Sequence, residues 1–343
     1  MNNQRPFCVA VGALAVMHGA VLFAGFLAPY HFATQNRNLA FVPPSHVHFF
    51  DSKQSFHMRP FVYQWKPAAD RFTNYEEDQT RTYPVEFLVP GEEYQLLGLW
   101  RSRLHMFGVE NPARIFLLGS DGFGRDQLSR LLYGGQISLL AGLLAAALSV
   151  ILGSLMGTIS GFFGHYVDEG LMRLSELFLA LPWLYLLFAV RAFMPLHVSP
   201  SGTFLLLIAT IGVVGWARPA RLVRGIVLSA KERNYVLAAR GFGASDLYLM
   251  RRHILPQAYG VALTQAALLI PQYILAEVTL SFLGLGVGEP VPSWGNMLTD
   301  LQRYQVLVSY WWMMVPAIVL VPVFLGYYSL SNALHARVKS GLL

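Results

Sequence analysis

Long uncharged apolar windows alternate along this chain with charged stretches. Phe7 to Tyr30, Leu131 to Val167, Ala192 to Ala217, His253 to Ala276 and Tyr304 to Ala336 contain no Asp, Glu, Lys or Arg. Leu174 to Met194 adds a sixth window, with Glu176 and Arg191 near its ends, where long side chains reach a membrane interface. A bilayer core about 30 Å thick takes roughly 20 apolar helical residues to cross. The pattern therefore predicts an all-α polytopic membrane protein with six transmembrane helices. Pro182, Pro271 and Pro316 fall inside the predicted spans and are expected to kink them.

Composition supports this. Of 343 residues, 55% are apolar and 13% charged, against about 25% charged in a soluble domain. One cysteine, Cys8, excludes an internal disulfide, and the ten histidines show no paired metal spacing, His18 in the first span included. The first window, preceded by Arg5, resembles a signal peptide in part. It is longer than a usual signal core and ends without a small-x-small site, which favours an uncleaved anchor.

The net charge of +6 has one address. Arg218 to Arg252 holds eight basic residues against Glu232 and Asp246, whereas His31 to Arg130 holds eleven of each sign. Basic short loops mark the cytoplasmic side, so with six spans both termini face the cytoplasm and 31–130 lies outside it. Trp294, Trp311 and Trp312 are then expected as anchors at the outer interface. The expected organisation is an anchor helix over 1–30, an extracytoplasmic insertion and pre-helix segment over 31–130, a helical core over 131–336 with a cytoplasmic loop at 218–256, and a tail over 337–343. Within the insertion Tyr83 to Val89 partly alternates, Pro90-Gly91 suggests a turn and Glu92 to Trp100 returns apolar, which predicts a hairpin and a partly β insertion. An ordered loop packed on the helices is the other reading.

The most specific stretch is Asn234 to Pro256. Tyr235 to Arg240 is a good helix former, Gly241 and Gly243 interrupt it, and Ala244 or Ser245 opens a second amphipathic turn with Leu247, Met250 and Ile254 near one face. Physically this is either a compact surface for another protein to grip or an interfacial helix drawn to anionic lipid.

The stretch closely resembles the EAA loop of ABC-importer permeases. That loop carries Ala-Ala, three residues, Gly, nine residues, then a position followed by x-Leu-Pro; here these are Ala238, Ala239, Gly243, His253, Leu255 and Pro256. Leu237 stands where the pattern has glutamate and His253 where it usually has isoleucine, although Arg-His-Ile-Leu-Pro is familiar from the dipeptide, oligopeptide and nickel branch. Two further stretches resemble that branch: Leu118 to Gly134, and Ser281 to Val287 with Pro292 to Leu298. The resemblance covers about Phe116 to the C-terminus and, by position, the first helix.

It implies the type I importer permease fold and a subunit with no ATP chemistry of its own. This agrees with a sequence lacking a Gly-Lys-Ser/Thr phosphate loop. It also implies a bacterial inner-membrane location and a second homologous permease as heterodimer partner. Two cytoplasmic ABC ATPases would hold ATP and magnesium, an external solute-binding protein would deliver peptides or a related solute such as a nickel chelate, and no cofactor would sit on this chain. The ATPase-coupling residues so implied are Ala238, Ala239, Arg240, Gly243, Ala244, Ser245, Asp246, His253, Leu255 and Pro256.

Outside that resemblance, Glu277 lies in the fifth span, where a carboxylate is expensive unless it faces a cavity or a partner. It reads as a pathway residue or as a structural one hydrogen-bonded to a neighbouring helix or to the partner permease. Arg125, Asp126 and Arg130 read as an external rim or as a solvated cap to the second helix. The competing function is an ion-coupled secondary transporter or channel using Glu277. A membrane enzyme lacks any His-Glu-x-x-His or Gly-x-Ser-x-Gly. Nucleic acid has no footprint once the charge is confined to one loop.

Overall fold

The computed structural model describes residues 4–68, 75–96, 100–193 and 198–339. Met194 of the third predicted span, part of the second predicted strand, the tail beyond 339 and the side chains of Arg5 and Lys339 lie outside the described residues. The helices are α1 (Gln4–Leu22), α2 (Ala24–Leu27), α3 (Gln127–Phe163), α4 (His165–Ala180), α5 (Trp183–Ala192), α6 (Pro200–Val214), α7 (Ala217–Lys231), α8 (Asn234–Gly241), α9 (Asp246–Leu249), α10 (Leu255–Phe282), α11 (Trp294–Met297), α12 (Tyr304–Ser309) and α13 (Val315–Lys339). The strands are β1 (His48–Phe50), β2 (Phe56–Pro67), β3 (Tyr75–Pro84), β4 (Glu86–Leu96) and β5 (Trp100–Gly108).

Three helical stretches are long and apolar enough to cross a membrane: Gln127–Phe163, Asp246–Phe282 and Trp311–Val338. The third and fourth predicted spans are not single rods. In their place stand two broken pairs, α4 with α5 bent by 95° and α6 with α7 bent by 43°. The first break follows from Pro182, which forces Leu181 into an extended backbone (ψ 136) and starts α5 as its N-cap. Pro182 is thus a terminator and not a kink. Pro271 lies inside α10 as expected, whereas Pro316 sits in the first turn of α13, where a missing N–H is harmless, and Pro322 is the interior one. Phe7–Leu22 is apolar but shorter than the others.

The fold divides into two units. One comprises Met1–Ala15, Leu139–Leu280 and Pro322–Leu343. Its central feature is close packing of α7 on α3. Gly153, Gly157 and Gly161, four apart on one face, bring the helices so near that a Cβ on Gly157 would lie 2.3 Å from the Ala220 carbonyl oxygen. Arg224 on α7 then grips Asp168 on α4 with two 2.5 Å contacts, Ser160 Oγ donates to the same carboxylate, and Lys231 Nζ donates to the Gly161 carbonyl.

The other unit comprises Val16–Ser138 and Ser281–Val321. Here β1, β2 and β3 form an antiparallel sheet in that order, and β4 pairs with β5. Val62, Tyr83, Val85 and Phe107 pack with Ala113 and Ile115 into one buried apolar cluster. The predicted hairpin is displaced. Pro90-Gly91 makes no turn; β4 runs through it with a bulge, the pairing shifting between Pro90↔Leu104 and Tyr94↔Ser102. Proline cannot donate to the ladder and is tolerated at a bulge, while Gly91 makes room for the buried ring of His105, which a Cβ would meet at 2.5 Å. The tryptophans also depart from expectation. Trp294 is 1% exposed and donates to the Leu131 carbonyl, Trp312 is buried and donates to the Ser120 carbonyl, and Trp311 alone stays exposed. Each buried indole N–H has found a carbonyl inside the protein, which an interfacial anchor has no need to do.

Candidate functional site

The basic loop begins as α7, whose inner residues Val223, Val227 and Ala230 pack with Phe162, Val236, Leu249, Ile254 and Ala258 into one apolar cluster. The arginines and Lys231 lie off that face. After a short link at Glu232-Arg233, α8 runs on through Gly241, so Gly241 is helical and the break comes at Gly243 alone. Gly243 has φ +84, the left-handed region glycine enters without steric cost, and nothing lies within 4 Å of where a Cβ would stand. The helix closes with Gly243 N–H to Arg240 O and Ala244 N–H to Ala239 O. Ser245 then caps α9, its Oγ accepting from Tyr248 N–H, and Asp246 occupies the first turn where a negative charge suits the helix dipole.

The inner face of the second helix differs from the predicted one. Leu249 and Ile254 are buried, with Met250 beside them, while Leu247 is 61% exposed. Residues five apart share a face because Met250–Ile254 is a π turn, in which Leu255 N–H reaches back to Met250 O. Pro256 directly follows; it has no N–H for a normal helical bond.

The expected residues are therefore brought together on one short motif with two faces. Ala239 and Ala244 pack inward. Ala238, Arg240, Gly243, Ser245, Asp246 and Pro256 are exposed, and Arg240 and Asp246 approach to 3.7 Å across the break. His253 lies between the rings of Tyr235 and Tyr248, and Leu255 is half-buried. Phe242, absent from the predicted set, is 94% exposed at the apex, and Leu237, Leu247 and Tyr248 are exposed around it. An apolar residue flanked by two glycines in a basic loop is the signal that would have singled out Phe242.

Arg125, Asp126 and Arg130 form neither a rim nor a solvated cap, being 3%, 4% and 2% exposed. Arg125 Nε contacts Asp121 at 2.6 Å, and its two terminal nitrogens hold Glu289 at 2.6 and 3.2 Å; Arg130 reaches Glu289 at 2.9 Å. Burial works against ionised Glu289, but the Arg125 hydrogen bonds and the Arg130 charge outweigh it and hold the carboxyl below its ordinary range. Asp126 behaves oppositely. Burial pushes it up to about 6 despite hydrogen bonds from the Ser129 hydroxyl and amide, and its Oδ1 has no partner among the described residues. Glu289 was missed, although the sequence marks it: between His253 and Thr299 the only charged residues are Glu277 and Glu289.

Glu277 is completely buried on α10. In the same unit a cavity of ≈ 420 Å³ opens where the two bent pairs break. Leu181, Gly215, Arg218, Gln272 and Tyr273 line it, and Glu277 does not. Tyr273 is fixed there by a 3.0 Å hydrogen bond with Ser149. The expectation of no paired histidines is also corrected: His46 and His48 meet Glu77, with their ligand atoms within 4.8 Å of one another.

Comparison with known proteins bears on the helical part of the chain. The family described as "Binding-protein-dependent transport system inner membrane component" matches residues 149–340. The dipeptide transport system permease protein DppC of Bacillus subtilis (strain 168) is 36% identical over 202 residues, 59% of this chain and 61% of that one. The oligopeptide transport system permease protein OppC of Escherichia coli (strain K12) is 42% identical over 199 residues, 58% of this chain and 64% of that one. The match thus spans about three fifths of these relatives. The DppC of Alkalihalophilus pseudofirmus is 31% identical over 68% of this chain and 75% of its own length. Among solved structures, a chain of the inward-facing MetNI methionine ABC transporter is similar over 61% of this chain and 95% of that chain, at 17% identity and a TM-score of 0.47.

Proposed function

The chain belongs to the family of binding-protein-dependent transport system inner-membrane components, and from that membership we propose that it is a permease subunit of an ATP-driven peptide importer. The observation that carries the reading is the loop from Asn234 to Pro256, with an apolar inner face anchoring it to α7 and α10 and an outer face led by Phe242. Exposed Phe, Leu and Tyr beside Arg240, Arg251 and Arg252 suit a protein cleft better than water. The partner is a cytoplasmic ATPase subunit, one of two, which holds ATP and magnesium; this chain has no hydrolytic site. A second homologous permease completes a heterodimer, and an external binding protein delivers a di- or oligopeptide or a related solute.

In this reading the polypeptide crosses the inner membrane six times with both termini cytoplasmic. Phe7–Leu22, Gln127–Phe163, the two bent pairs, Asp246–Phe282 and Trp311–Val338 make the crossings. ATP-driven closure of the ATPases pulls the paired loops and shifts the permeases from inward-open to outward-open. Nucleotide binding energy biases a two-state membrane element by its different affinity for the two states. Ala238, Ala239, Arg240, Gly243, Ala244, Ser245, Asp246, His253, Leu255 and Pro256 shape the docking motif, and the cavity at the helix breaks lies on the solute path.

The test is co-purification of the assembled complex. Phe242→Ala with Leu247→Ala is expected to cut recovery of the ATPase subunits on a tagged permease at least tenfold while leaving the permease in the membrane. Undiminished recovery together with undiminished peptide uptake overturns the docking role.

A further inference from the structure

The strand-rich part of the second unit holds a cluster that transport chemistry does not use. His48 Nε2 lies 2.9 Å from one Glu77 carboxylate oxygen and His46 Nδ1 3.2 Å from the other. All three potential ligand atoms fall within 4.8 Å of one another. A tetrahedral zinc site with bonds near 2.1 Å has ligand–ligand edges of about 3.4 Å; the two imidazoles each approach a separate Glu77 oxygen, and with one ligand atom per residue every edge is at most 4.8 Å, so closing on an ion takes adjustment of the side chains. His46 supplies that freedom, its side chain being 71% exposed, whereas those of His48 and Glu77 are 29% and 13% exposed.

The placement follows from strand pairing and ring contacts. His48 pairs with Phe61 and Glu77 with Trp65, and although the β2–β3 register shifts between Tyr63 and Gln64, the rings of His48 against Phe61 and Tyr63 and of His46 against Trp65 put the cluster on one face of the sheet. His48 is wedged against the rings of Phe61 and Tyr63. The backbone bearing His46 is tethered at Ser45. Its N–H donates to the Phe116 carbonyl, and its hydroxyl accepts from Trp65 Nε1 and Phe116 N–H. Two ligands are thus held by buried neighbours and the third hangs from a fixed backbone, as a preorganised metal site requires.

We propose that His46, His48 and Glu77 bind a divalent transition metal of the zinc class, with a fourth position open to water. Two imidazoles and one carboxylate suit a borderline ion and disfavour magnesium or calcium, which take all-oxygen shells. The bound ion braces β1 to β3 across β2, stiffening a sheet whose outer strand has only three residues.

The experiment is a Zn²⁺ titration of the purified full-length chain, in complex with its partner subunits, against a chromophoric chelator at pH 7.5. Wild type is expected to take one equivalent more than a His46→Asn/Glu77→Gln double variant. His46→Asn, His48→Asn and Glu77→Gln should each weaken that equivalent at least tenfold, and Mg²⁺ should not displace it. His46 is largely exposed, so His46→Asn reports on the site without disturbing the strands. Superimposable wild-type and His46→Asn isotherms overturn the proposal, as does equal competition by Mg²⁺.

Discussion

At Gly243 there is open space where a side chain would go but a backbone at φ +84, so a substitution there meets conformational strain and no steric clash. A β-branched residue in that region costs roughly 1–2 kcal/mol, enough to reshape an exposed two-turn motif without unfolding the helices around it. Gly243→Val is expected to leave membrane insertion intact and lower solute uptake per ATP hydrolysed. Gly243→Asn, which tolerates the left-handed region, should restore much of the coupling. Transport assays in proteoliposomes check this, and normal uptake by the valine variant would sink it. Asp126 makes a prediction with the opposite chemistry. Its folded pKa near 6 exceeds the ordinary value of 3.8, so the folded protein holds a proton there that the unfolded chain has released. The stabilisation from this group is complete below about pH 4 and is lost as pH rises through 6. Asp126→Asn, which keeps an acceptor for Ser129, should raise the thermal midpoint at pH 8 by the equivalent of roughly 2–3 kcal/mol and change it little at pH 4. Equal shifts at both pH values in thermal unfolding of the detergent-solubilised protein would refute the assignment.

Among the elements, α7 depends most on what its neighbour lacks. Gly153, Gly157 and Gly161 of α3 face its backbone and side chains at distances no Cβ permits without movement. Gly157→Val should separate the helices and cost several kcal/mol, by overpacking and by weakening the Arg224–Asp168 pair. A lowered thermal midpoint and reduced membrane yield are the expected readouts, whereas the same change at Gly225, which has nothing within 4 Å, should be tolerated far better. The glycine spacing is legible in the sequence as a small-xxx-small pattern, but hydropathy does not distinguish it from the rest of an apolar window. The two helix breaks were less legible. Hydropathy registers that a window is apolar and is blind to whether Pro182 interrupts it or begins something new. The π turn before Pro256 was not readable at all, since it decides between Leu247 and Leu249 on a one-residue rotation that helical periodicity assigns the other way. The helix, the break and the cap at Ser245 were readable because each rests on a local backbone preference of Gly or Ser.

Over the whole molecule, the charge distribution was readable and its destinations were not. The +6 loop stands out by counting, but counting cannot tell that Arg125 and Arg130 sit inside a protein core. What pairs them, Glu289, arrives from more than 150 residues away, and a pairing of that separation exists only once the fold does. The same holds for His46, His48 and Glu77. The proposed assembly makes a prediction at this scale. On the proposed function, solute uptake should collapse on ATP depletion and persist in the presence of a protonophore; the reverse pattern, with loss of uptake in Glu277→Gln, would move the protein to the ion-coupled class.

One consequence of α7 concerns stiffness. Its first residues, Ala217 and Arg218, line the cavity at the helix breaks, and its last, Lys231, adjoins the α8–α9 loop. At 1.5 Å per residue its 15 residues make a rod about 22 Å long. Because glycine contacts and the Arg224–Asp168 clamp hold that rod against α3 and α4, it has little slack to absorb. On the proposed coupling role, a pull on α8 is expected to reach the cavity wall as displacement and not to be spent on bending along the way.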